Sequence, residues 1–354
     1  MLDSHRDKEI IAQLYQKLGG MYSRNLQKLL EVLRSFDAYP RVYHSSDHIL
    51  DLCRKIIADN HPQEQERLLL LTAVYHDYVY DPKSKTNEED SAEVFMRDSS
   101  ELNLQNDVGS SLGNRNLIYK TILDTKTHDN FSTEFSKIFC RYDLSSFKND
   151  ILANEMKIRK EYEWVDWADY KQGKLDFLAK YKKSPIATED REILGGMLFI
   201  EHFTKTCPPP SVGIYAGSFN PFHIGHKNIV EKAEKIFDKV VIARGINPLK
   251  STNLWTTTTE PEFLKYRQVD HYTTSVVDYF NSKIYKPTLI RGLRNSIDLQ
   301  AEIVQTRWLQ ELDPEIQVVN IVCDREFDHI SSSGIRAVGG FPDLEKLAES
   351  YTVK

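Results

Sequence analysis

The sequence predicts two domains of different class, an all-α domain followed by an α/β domain with a parallel sheet. Over the first two hundred residues, apolar side chains recur at three- and four-residue spacing, which is the period of an amphipathic helix. Beyond them, short apolar runs alternate with amphipathic helical segments, the order typical of a Rossmann-like fold. Three consecutive prolines, 208 to 210, separate the two patterns because they cannot continue a helix. We therefore expect domains over 1–205 and 212–354, joined by a linker over 206–211.

The individual elements follow from the same periods. The helical segments with the clearest apolar spacing are EIIAQLYQKL, NLQKLLEVLRSF, HILDLCRKII, ERLLLLTAVYHDYVY and REILGGMLFIEHF. Polar, turn-prone stretches such as DPKSKTNEED separate helices in this half of the chain. In the second domain the predicted strands are SVGIYAG, KVVIARGI, PTLIRG and QVVNIVC, and HKNIVEKAEKIF is the helix after the first strand.

Composition excludes several classes of partner. The chain has 354 residues and a net charge of −6, which gives no reason to expect nucleic-acid binding. It contains no apolar run near the roughly 20 residues that a bilayer span needs, and MLDSHRDKEI lacks an apolar signal region. Its four cysteines are scattered without any C-x-x-C, which favours a reducing compartment. We expect a cytoplasmic protein without a membrane or nucleic-acid partner.

The stretch GSFNPFHIGHKNIV, residues 217–230, is a candidate phosphate-binding junction. A strand is predicted to end at Gly217 and a helix to begin near Gly225–His226. Free N–H groups and the positive end of the helix dipole face such a loop. Gly217 lets the backbone approach a ligand closely, and Gly225 lets the side chains of His223 and His226 converge. Imidazoles in this place can donate hydrogen bonds to phosphate oxygens.

This stretch resembles the H-x-G-H signature of the nucleotidyltransferase superfamily. The segments GINPLKS, IRGLRNSIDLQAEI and DHISSSGIR extend the resemblance to the phosphopantetheine adenylyltransferase family, over about residues 212–345. The resemblance implies a Rossmann-like nucleotidyltransferase domain that transfers AMP from ATP to 4'-phosphopantetheine, giving dephospho-coenzyme A and pyrophosphate. It also implies Mg²⁺ with the ATP and a homo-oligomer formed through this domain.

The resemblance assigns roles to particular residues of this domain. His226, Lys250 and Arg291 are implied as catalytic: His226 on the α-phosphate, Lys250 on the incoming phosphate and the triphosphate, and Arg291 on the substrates. The residues implied in binding ATP or the substrate are Gly217, Ser218, Phe219, His223, Gly225, Gly292, Arg294, Glu302, Ser331, Ser332 and Ser333. Because a phosphate monoester is already a nucleophile at neutral pH, such a site needs alignment and stabilisation of negative charge more than a general base.

Three positions depart from this family and leave an alternative open. Asn220 stands where the family usually has aspartate, Ala301 where an aromatic residue often stands, and His223 where threonine is common. In having a histidine at position 223, the chain resembles the nicotinate and nicotinamide mononucleotide adenylyltransferases. A mononucleotide is therefore the alternative substrate, while the IRGLRNSIDLQAEI segment favours phosphopantetheine.

The first domain carries histidines and aspartates in a pattern that suits a metal. His44 and His48 lie four residues apart in YHSSDHIL, on one face if this segment is helical. The pair His76–Asp77 ends an apolar stretch, and TKTHD and RYDLSSF then supply the two further candidates, His128 and Asp143. Imidazole and carboxylate together suit a divalent metal such as Mn²⁺, Fe²⁺, Zn²⁺ or Ni²⁺.

The order H…HD…D, with its flanking segments, resembles the HD-domain metal-dependent phosphohydrolases over roughly residues 10–205. The resemblance implies an HD-like helical domain in which His48, His76, Asp77 and Asp143 bind a transition metal or Mg²⁺. His44 and His128 are implied as further ligands or phosphate contacts. The interpretation is a bifunctional enzyme whose hydrolase substrate is open. The alternative is that the helical domain is a non-catalytic regulatory or scaffold module.

Overall fold

The computed structural model describes residues 5–18, 26–101, 112–246 and 260–353. It divides the chain into a helical unit, Met1–Tyr162 with Lys171–Cys207, and an α/β unit, Glu163–Tyr170 with Pro208–Lys354. The boundary between the two units falls after Cys207, inside the predicted linker. Glu163–Tyr170, which the sequence analysis assigns to the first domain, belongs to the second unit. Its attachment has a physical cause, because the buried Lys239 ammonium donates hydrogen bonds to the carbonyl oxygens of Glu163 and Val165, both at 2.5 Å.

The helical unit contains the predicted all-α architecture. Its helices are α1 (His5–Leu18), α2 (Leu26–Ser35), α3 (Ser46–Ala58), α4 (Gln63–Tyr75), α5 (Asn87–Glu101), α6 (Leu112–Asp124), α7 (Glu134–Asp143), α8 (Ile151–Glu161), α9 (Trp167–Tyr181, whose first four residues belong to the α/β unit), α10 (Pro185–Glu189) and α11 (Arg191–Thr206). The five helical segments singled out in the sequence fall on α1 to α4 and α11. Among the described helices, none has the length and apolar character needed to cross a membrane.

Helix α4 lies at the centre of the helical unit. Every side chain from Leu68 to Tyr75 is buried, and these residues pack in one core with apolar residues of α1 to α3 and α5 to α7. An all-round apolar helix is stable only inside such a core. The helix ends at Tyr75, so HDYVY, predicted as its continuation, lies outside it, and His76 is the residue that caps the buried end.

The α/β unit is built on a five-stranded sheet in which every pairing is parallel. The strands are β1 (Val212–Gly217), β2 (Lys239–Gly245), β3 (Gln268–Tyr272), β4 (Thr288–Leu293) and β5 (Gln317–Val322), in the order β3-β2-β1-β4-β5. Four of these strands are the predicted ones, and β3 is additional. Because the chain runs outward from β1 on one side and from β4 on the other, the carboxyl ends of β1 and β4 form the switch point where such sheets bind ligands.

Five helices complete the α/β unit among its described residues: α12 (Ile224–Ala233), α13 (Val276–Asn281), α14 (Ser296–Leu312), α15 (Ser332–Gly339) and α16 (Glu345–Tyr351). Helix α12 ends four residues before the predicted segment does. Helix α14 has no buried residue, and Ile297, Val304, Trp308 and Leu312 are all exposed along it. The homo-oligomer expected through this domain stays a prediction.

Two adjacent glycines of α11 allow a test of the helical packing. A Cβ on Gly196 would lie 1.8 Å from the carbonyl oxygen of Phe147, whereas a Cβ on Gly195 meets nothing within 4 Å. We predict that Gly196→Ala lowers the free energy of unfolding by about 3 kcal/mol because the neighbouring turn must move. Gly195→Ala should raise it by ~0.5–1 kcal/mol, because alanine favours the helix. Urea unfolding followed by far-UV circular dichroism measures both, and equal effects of the two changes would contradict the packing described.

Candidate functional sites

The two histidines of the H-x-G-H string cap the first turn of α12. His223 is the N-cap residue, and its Nδ1 accepts a hydrogen bond from the backbone N–H of His226 at 3.3 Å. In return, the Nδ1 of His226 accepts from the backbone N–H of His223, also at 3.3 Å. The two rings stack with centroids 3.5 Å apart. Since each Nδ1 is an acceptor, each neutral ring carries its proton on Nε2 and has that atom left as a donor.

Gly225 makes this reciprocal cap possible. A Cβ at position 225 would lie 3.1 Å from the Nδ1 of His223 and 3.2 Å from its Cε1, closer than ordinary packing allows. Gly217, at the end of β1, stands in a similar relation to the ring of Phe219, which a Cβ would approach to 3.0 Å. The backbone of Phe219 has φ of 45° and its ring is buried, so the loop turns sharply directly after the strand.

The surroundings keep both imidazoles uncharged. Burial, with a smaller contribution from the charge of Arg294, lowers the pKa of His223 to about 4. Burial, His223 and Arg294 together hold the pKa of His226 well below its ordinary value. The rings of Phe219 and Phe222 pack against His226, with centroids 5.0 and 5.4 Å from that of its ring. At neutral pH the pair therefore offers N–H donors without a positive charge.

The RGLR segment occupies the end of β4, beside β1. The Arg291 guanidinium donates two hydrogen bonds to Glu302, at 2.6 and 2.8 Å, and a third to Gln305 at 2.8 Å. Two predicted site residues, Arg291 and Glu302, are thus partners of each other. Gly292 faces the hydroxyl of Tyr215, which a Cβ there would approach to 2.9 Å.

Arg294 lies two residues before α14 and is paired with Asp298 in the first turn of that helix. Its guanidinium donates to both carboxylate oxygens of Asp298, at 2.8 and 2.9 Å. This arrangement is a surface ion pair, yet the charge of Arg294 also reaches His223 and His226, whose pKa values it lowers.

The serine segment at the start of α15 is tied to the loop after β1. Ser331 is the N-cap of α15 and accepts from the N–H of Gly334 at 3.0 Å. Ser332 Oγ donates to the carbonyl oxygen of Pro221 at 3.0 Å. Arg336 donates to the carbonyl oxygen of Asn220. The sequence analysis selects Ser331 to Ser333 but not Arg336, although Arg336 fastens the same loop.

Two predicted residues of this site remain, Ser218 and Lys250. Ser218 is exposed and is the first residue after β1. Lys250 falls outside the described residues. The site brought together by the described residues thus consists of the capped histidines, the loop before them, the arginines at β4 and the α15 segment.

Comparison with known proteins places this unit in a class and then in a family. Residues 214–338 match the family model described as cytidylyltransferase-like. Over 158 residues the chain is 31% identical to the phosphopantetheine adenylyltransferase of Dictyoglomus turgidum, covering 40% of this chain and 98% of that relative. The corresponding proteins of Rhodopirellula baltica and Chloroflexus aurantiacus are 29% and 32% identical, over 38% and 35% of this chain and 77% and 81% of their own. Through its α/β unit, the chain belongs to the phosphopantetheine adenylyltransferase family.

The helical unit brings its four predicted metal ligands close together. His48 comes from α3, His76 caps α4, and Asp143 ends α7, and each offers a ligand atom within 4.8 Å of the others'. The Oδ1 of Asp143 lies 3.6 Å from the Nε2 of His48 and 3.7 Å from that of His76. Asp77 approaches the two histidines, with its Oδ2 3.0 Å from the Nε2 of His76 and 3.9 Å from that of His48.

The hydrogen bonding of this cluster fits a divalent cation. His76 donates from Nδ1 to the carbonyl oxygen of Ala73 at 3.0 Å, which leaves the lone pair of a neutral ring on Nε2. The Nε2 atoms of His48 and His76 are buried without a hydrogen-bond partner among the described residues. Buried lone pairs that face two carboxylates are costly without a positive charge between them.

The electrostatics of His76 also indicate a cation site. Burial opposes a charge on its ring, yet Asp77 and Asp143 raise its pKa well above the ordinary value. The cluster therefore stabilises positive charge. Borderline divalent metals suit a set of imidazoles and carboxylates of this kind.

The four-residue spacing predicts that His44 and His48 share a helical face. This prediction is wrong. His44 lies before α3, whose N-cap is Ser45, in a turn held by Glu161. The Nδ1 of His44 lies 2.7 Å from Oε2 of Glu161, and the N–H groups of residues 42–44 all donate to Oε1 of the same carboxylate. Glu161 is fully buried and is absent from the sequence-selected residues. No spacing rule links it to a turn 117 positions away.

His128 contacts the cluster through Asp143. Its Nε2 lies 2.9 Å from Oδ2 of Asp143, the carboxylate oxygen that is not turned toward His48 and His76. The predicted additional residues His44 and His128 are thus both held by carboxylates.

The burial of His223 predicts a pH dependence for the α/β unit. Its folded pKa of about 4 lies below the ordinary 6.5, so only the unfolded chain takes up this proton between the two values. Stability is complete above pH 6.5 and falls toward pH 4, by roughly 2 kcal/mol at pH 5. His223→Asn keeps an N-cap acceptor but cannot titrate. We expect the variant to lose less stability than the wild type between pH 7 and pH 5, as measured by urea unfolding with fluorescence of Trp164, Trp167 and Trp308, which lie in this unit.

His226 remains in that variant, so a smaller dependence on pH should persist. Identical losses of stability in the wild type and in His223→Asn would show that His223 titrates normally in the folded state.

Proposed function

We propose that the α/β unit transfers AMP from ATP to 4'-phosphopantetheine, giving dephospho-coenzyme A and pyrophosphate. The observation that carries this proposal is the reciprocal cap of His223 and His226 at the N-terminus of α12. It offers uncharged N–H donors beside the positive end of a helix, at the switch point of a parallel sheet. Membership of the phosphopantetheine adenylyltransferase family supports the choice of substrate.

The chemistry asks little of the protein beyond alignment and charge stabilisation. An oxygen of the phosphopantetheine phosphate attacks the α-phosphorus of ATP, a new P–O–P bond forms, and the bond to the β-phosphate breaks to release pyrophosphate. No proton has to move. The Nε2–H of His226 would donate to an α-phosphate oxygen, where charge gathers in the transition state. Mg²⁺ would accompany the ATP and neutralise its phosphates.

Arg291 and Glu302 would act in this site as a pair. The two-point contact with Glu302 fixes the plane of the Arg291 guanidinium at the end of β4. Its remaining charge would face the phosphates, and Lys250 would add a second cation, as the resemblance implies. The segment from Ser331 to Arg336, tied to the loop after β1, would border the nucleotide.

A mononucleotide of nicotinate or nicotinamide is the second candidate substrate. Asn220 and His223 favour it, because they depart from the phosphopantetheine pattern at the first motif. Both reactions release pyrophosphate from ATP, so the acceptor alone separates them.

We predict that the full-length protein releases pyrophosphate from ATP with 4'-phosphopantetheine and not with nicotinamide or nicotinate mononucleotide. His226→Ala should lower kcat by about 10²–10³-fold, the usual effect of removing one donor to a developing oxyanion. His202→Ala, which changes an exposed histidine of α11, is the control and should be silent. A coupled pyrophosphate assay measures all three proteins.

Turnover of the mononucleotides alone would replace phosphopantetheine by the second candidate. Unchanged kcat in His226→Ala would contradict the role given to the reciprocal cap, whichever acceptor is used.

We further propose that the helical unit is a metal-dependent phosphohydrolase. The observation behind it is that the Nε2 atoms of His48 and His76 face Asp143 and Asp77 and have no hydrogen-bond partner within the described part of the chain. These four residues would hold the cation, which when bound lowers the pKa of a coordinated water and polarises a phosphoryl oxygen. His44, fixed by Glu161 near the cluster, would contact the phosphate. The alternative is a domain that binds a metal or nucleotide without turnover.

We expect the full-length protein to bind Mn²⁺ and His76→Ala to weaken that binding by more than about 100-fold, beyond what loss of an outer-shell contact does. Asp143→Asn should weaken it similarly, and His202→Ala should leave it unchanged. Isothermal titration measures the affinity, and phosphate release from nucleotides and phosphomonoesters measures turnover. Absence of metal binding in the wild type would remove the metal centre, whereas binding without turnover would favour the non-catalytic alternative.

A further inference from the structure

We propose that His128 is a positioning residue of the metal centre in the helical unit: it holds one oxygen of Asp143 so that the other faces the metal. This inference rests on the metal site proposed above. It assigns His128 a role different from that of a ligand or a phosphate contact.

The two oxygens of Asp143 have different partners. Oδ1 lies 3.6 and 3.7 Å from the Nε2 atoms of His48 and His76, whereas Oδ2 lies 2.9 Å from the Nε2 of His128. The terminal torsion of an aspartate is soft, so an unheld carboxylate rotates easily. A hydrogen bond on Oδ2 stops this rotation and fixes Oδ1 in place. Carboxylates that ligate metals are commonly held in this way by a neighbouring side chain.

The tautomer of His128 is set by the same contact. A carboxylate oxygen only accepts, so Nε2 must carry the proton. Nδ1 is buried and has no hydrogen-bond partner among the described residues. On a neutral ring Nδ1 carries a lone pair. A buried lone pair without a partner is less costly than a buried N–H without one. His128 therefore holds Asp143 through its Nε2–H donor.

The backbone of His128 is strained in a way that indicates a use for its side chain. Its φ is 53°, in the left-handed region where glycine or asparagine fits best. Such a conformation is unfavourable for a histidine and persists only where the surroundings fix it. The N–H of His128 donates to the carbonyl oxygen of Asp124 at 3.0 Å. The hydroxyl of Tyr181 donates a hydrogen bond to the carbonyl oxygen of Lys126 at 2.8 Å. The Tyr181 ring lies 5.6 Å from the imidazole of His128.

The position of His128 also argues against direct ligation. His48, His76 and Asp143 each offer a ligand atom within 4.8 Å of the other two, and Oδ2 of Asp77 lies 3.0 and 3.9 Å from the Nε2 atoms of His76 and His48. His128 reaches this group only through the far oxygen of Asp143. A positioning role and a ligand role therefore predict different results when the imidazole is replaced by another N–H donor.

The test compares two variants of the full-length protein. His128→Asn suits the left-handed backbone but is too short to reach Asp143, whereas the side-chain amide of His128→Gln can replace the Nε2–H donor. We expect the asparagine variant to bind Co²⁺ and Mn²⁺ 10–100-fold more weakly than the wild type, in about the range of lost outer-shell contacts. The glutamine variant should stay within roughly threefold of the wild type, because it restores the donor. Isothermal titration measures both affinities.

The absorption spectrum of bound Co²⁺ separates positioning from ligation. It should be the same in the wild type and in His128→Gln, because the ligand set is unchanged. Thermal melting without metal checks that both variants fold, and the glutamine variant serves if the asparagine variant does not.

Each adverse result has a distinct meaning. Wild-type affinity in a folded His128→Asn protein would overturn the inference and leave the metal site standing. A Co²⁺ spectrum of His128→Gln that has lost a nitrogen ligand would overturn it in favour of direct ligation. Failure of the wild type itself to bind either metal would instead refute the proposed metal site on which the inference rests.

Discussion

The α/β unit depends on one local interaction, the mutual hydrogen bonding of His223 and His226 across Gly225. Each imidazole accepts a hydrogen bond from the other residue's backbone N–H, so the side chains proposed to bind phosphate also cap α12. The interaction requires a glycine between them, because any Cβ would press on the His223 ring. It also requires a loop that brings the chain from β1 into α12 at a fixed angle. The contacts from Ser332 and Arg336 to the carbonyl oxygens of Pro221 and Asn220 hold that loop.

The sequence predicts most of the fold because the buried elements carry strong periodic signals. Strands β1, β2 and β4 are apolar runs with buried centres, and α4 is buried on every side from Leu68 to Tyr75. Strand β3 escapes this reasoning because it is an edge strand of mixed polarity, in which Gln268 is the buried residue. The segment Glu163–Tyr170 escapes it as well, since its place in the α/β unit depends on backbone carbonyls that accept from Lys239 and carry no sequence signal.

The sites were predictable to the extent that their residues form local motifs. His223, Gly225 and His226 lie within four positions, so the motif already contains its geometry. Arg336 ends the DHISSSGIR segment, but neither its contact nor that of Glu161 follows from a local motif, because the backbone groups that they bind are 116 and 117 positions away. His44 illustrates the opposite error. Its four-residue spacing from His48 predicts a shared helical face, but α3 begins only at Ser46, since Glu161 binds the preceding backbone N–H groups and holds them in a turn.

The two sites use the same side chain in opposite electrostatic roles, and the neighbours decide which role it takes. His226 lies among aromatic rings with Arg294 nearby, so burial and a like charge both keep its ring neutral. A neutral N–H donor can bind a phosphate oxygen without first breaking an ion pair with the protein. His76 is buried, but Asp77 and Asp143 face it, so a positive charge is favoured there despite the loss of water. The first arrangement therefore suits an anionic ligand and the second a cation. Histidine content alone could not separate them, whereas the identity of the residues around each ring does.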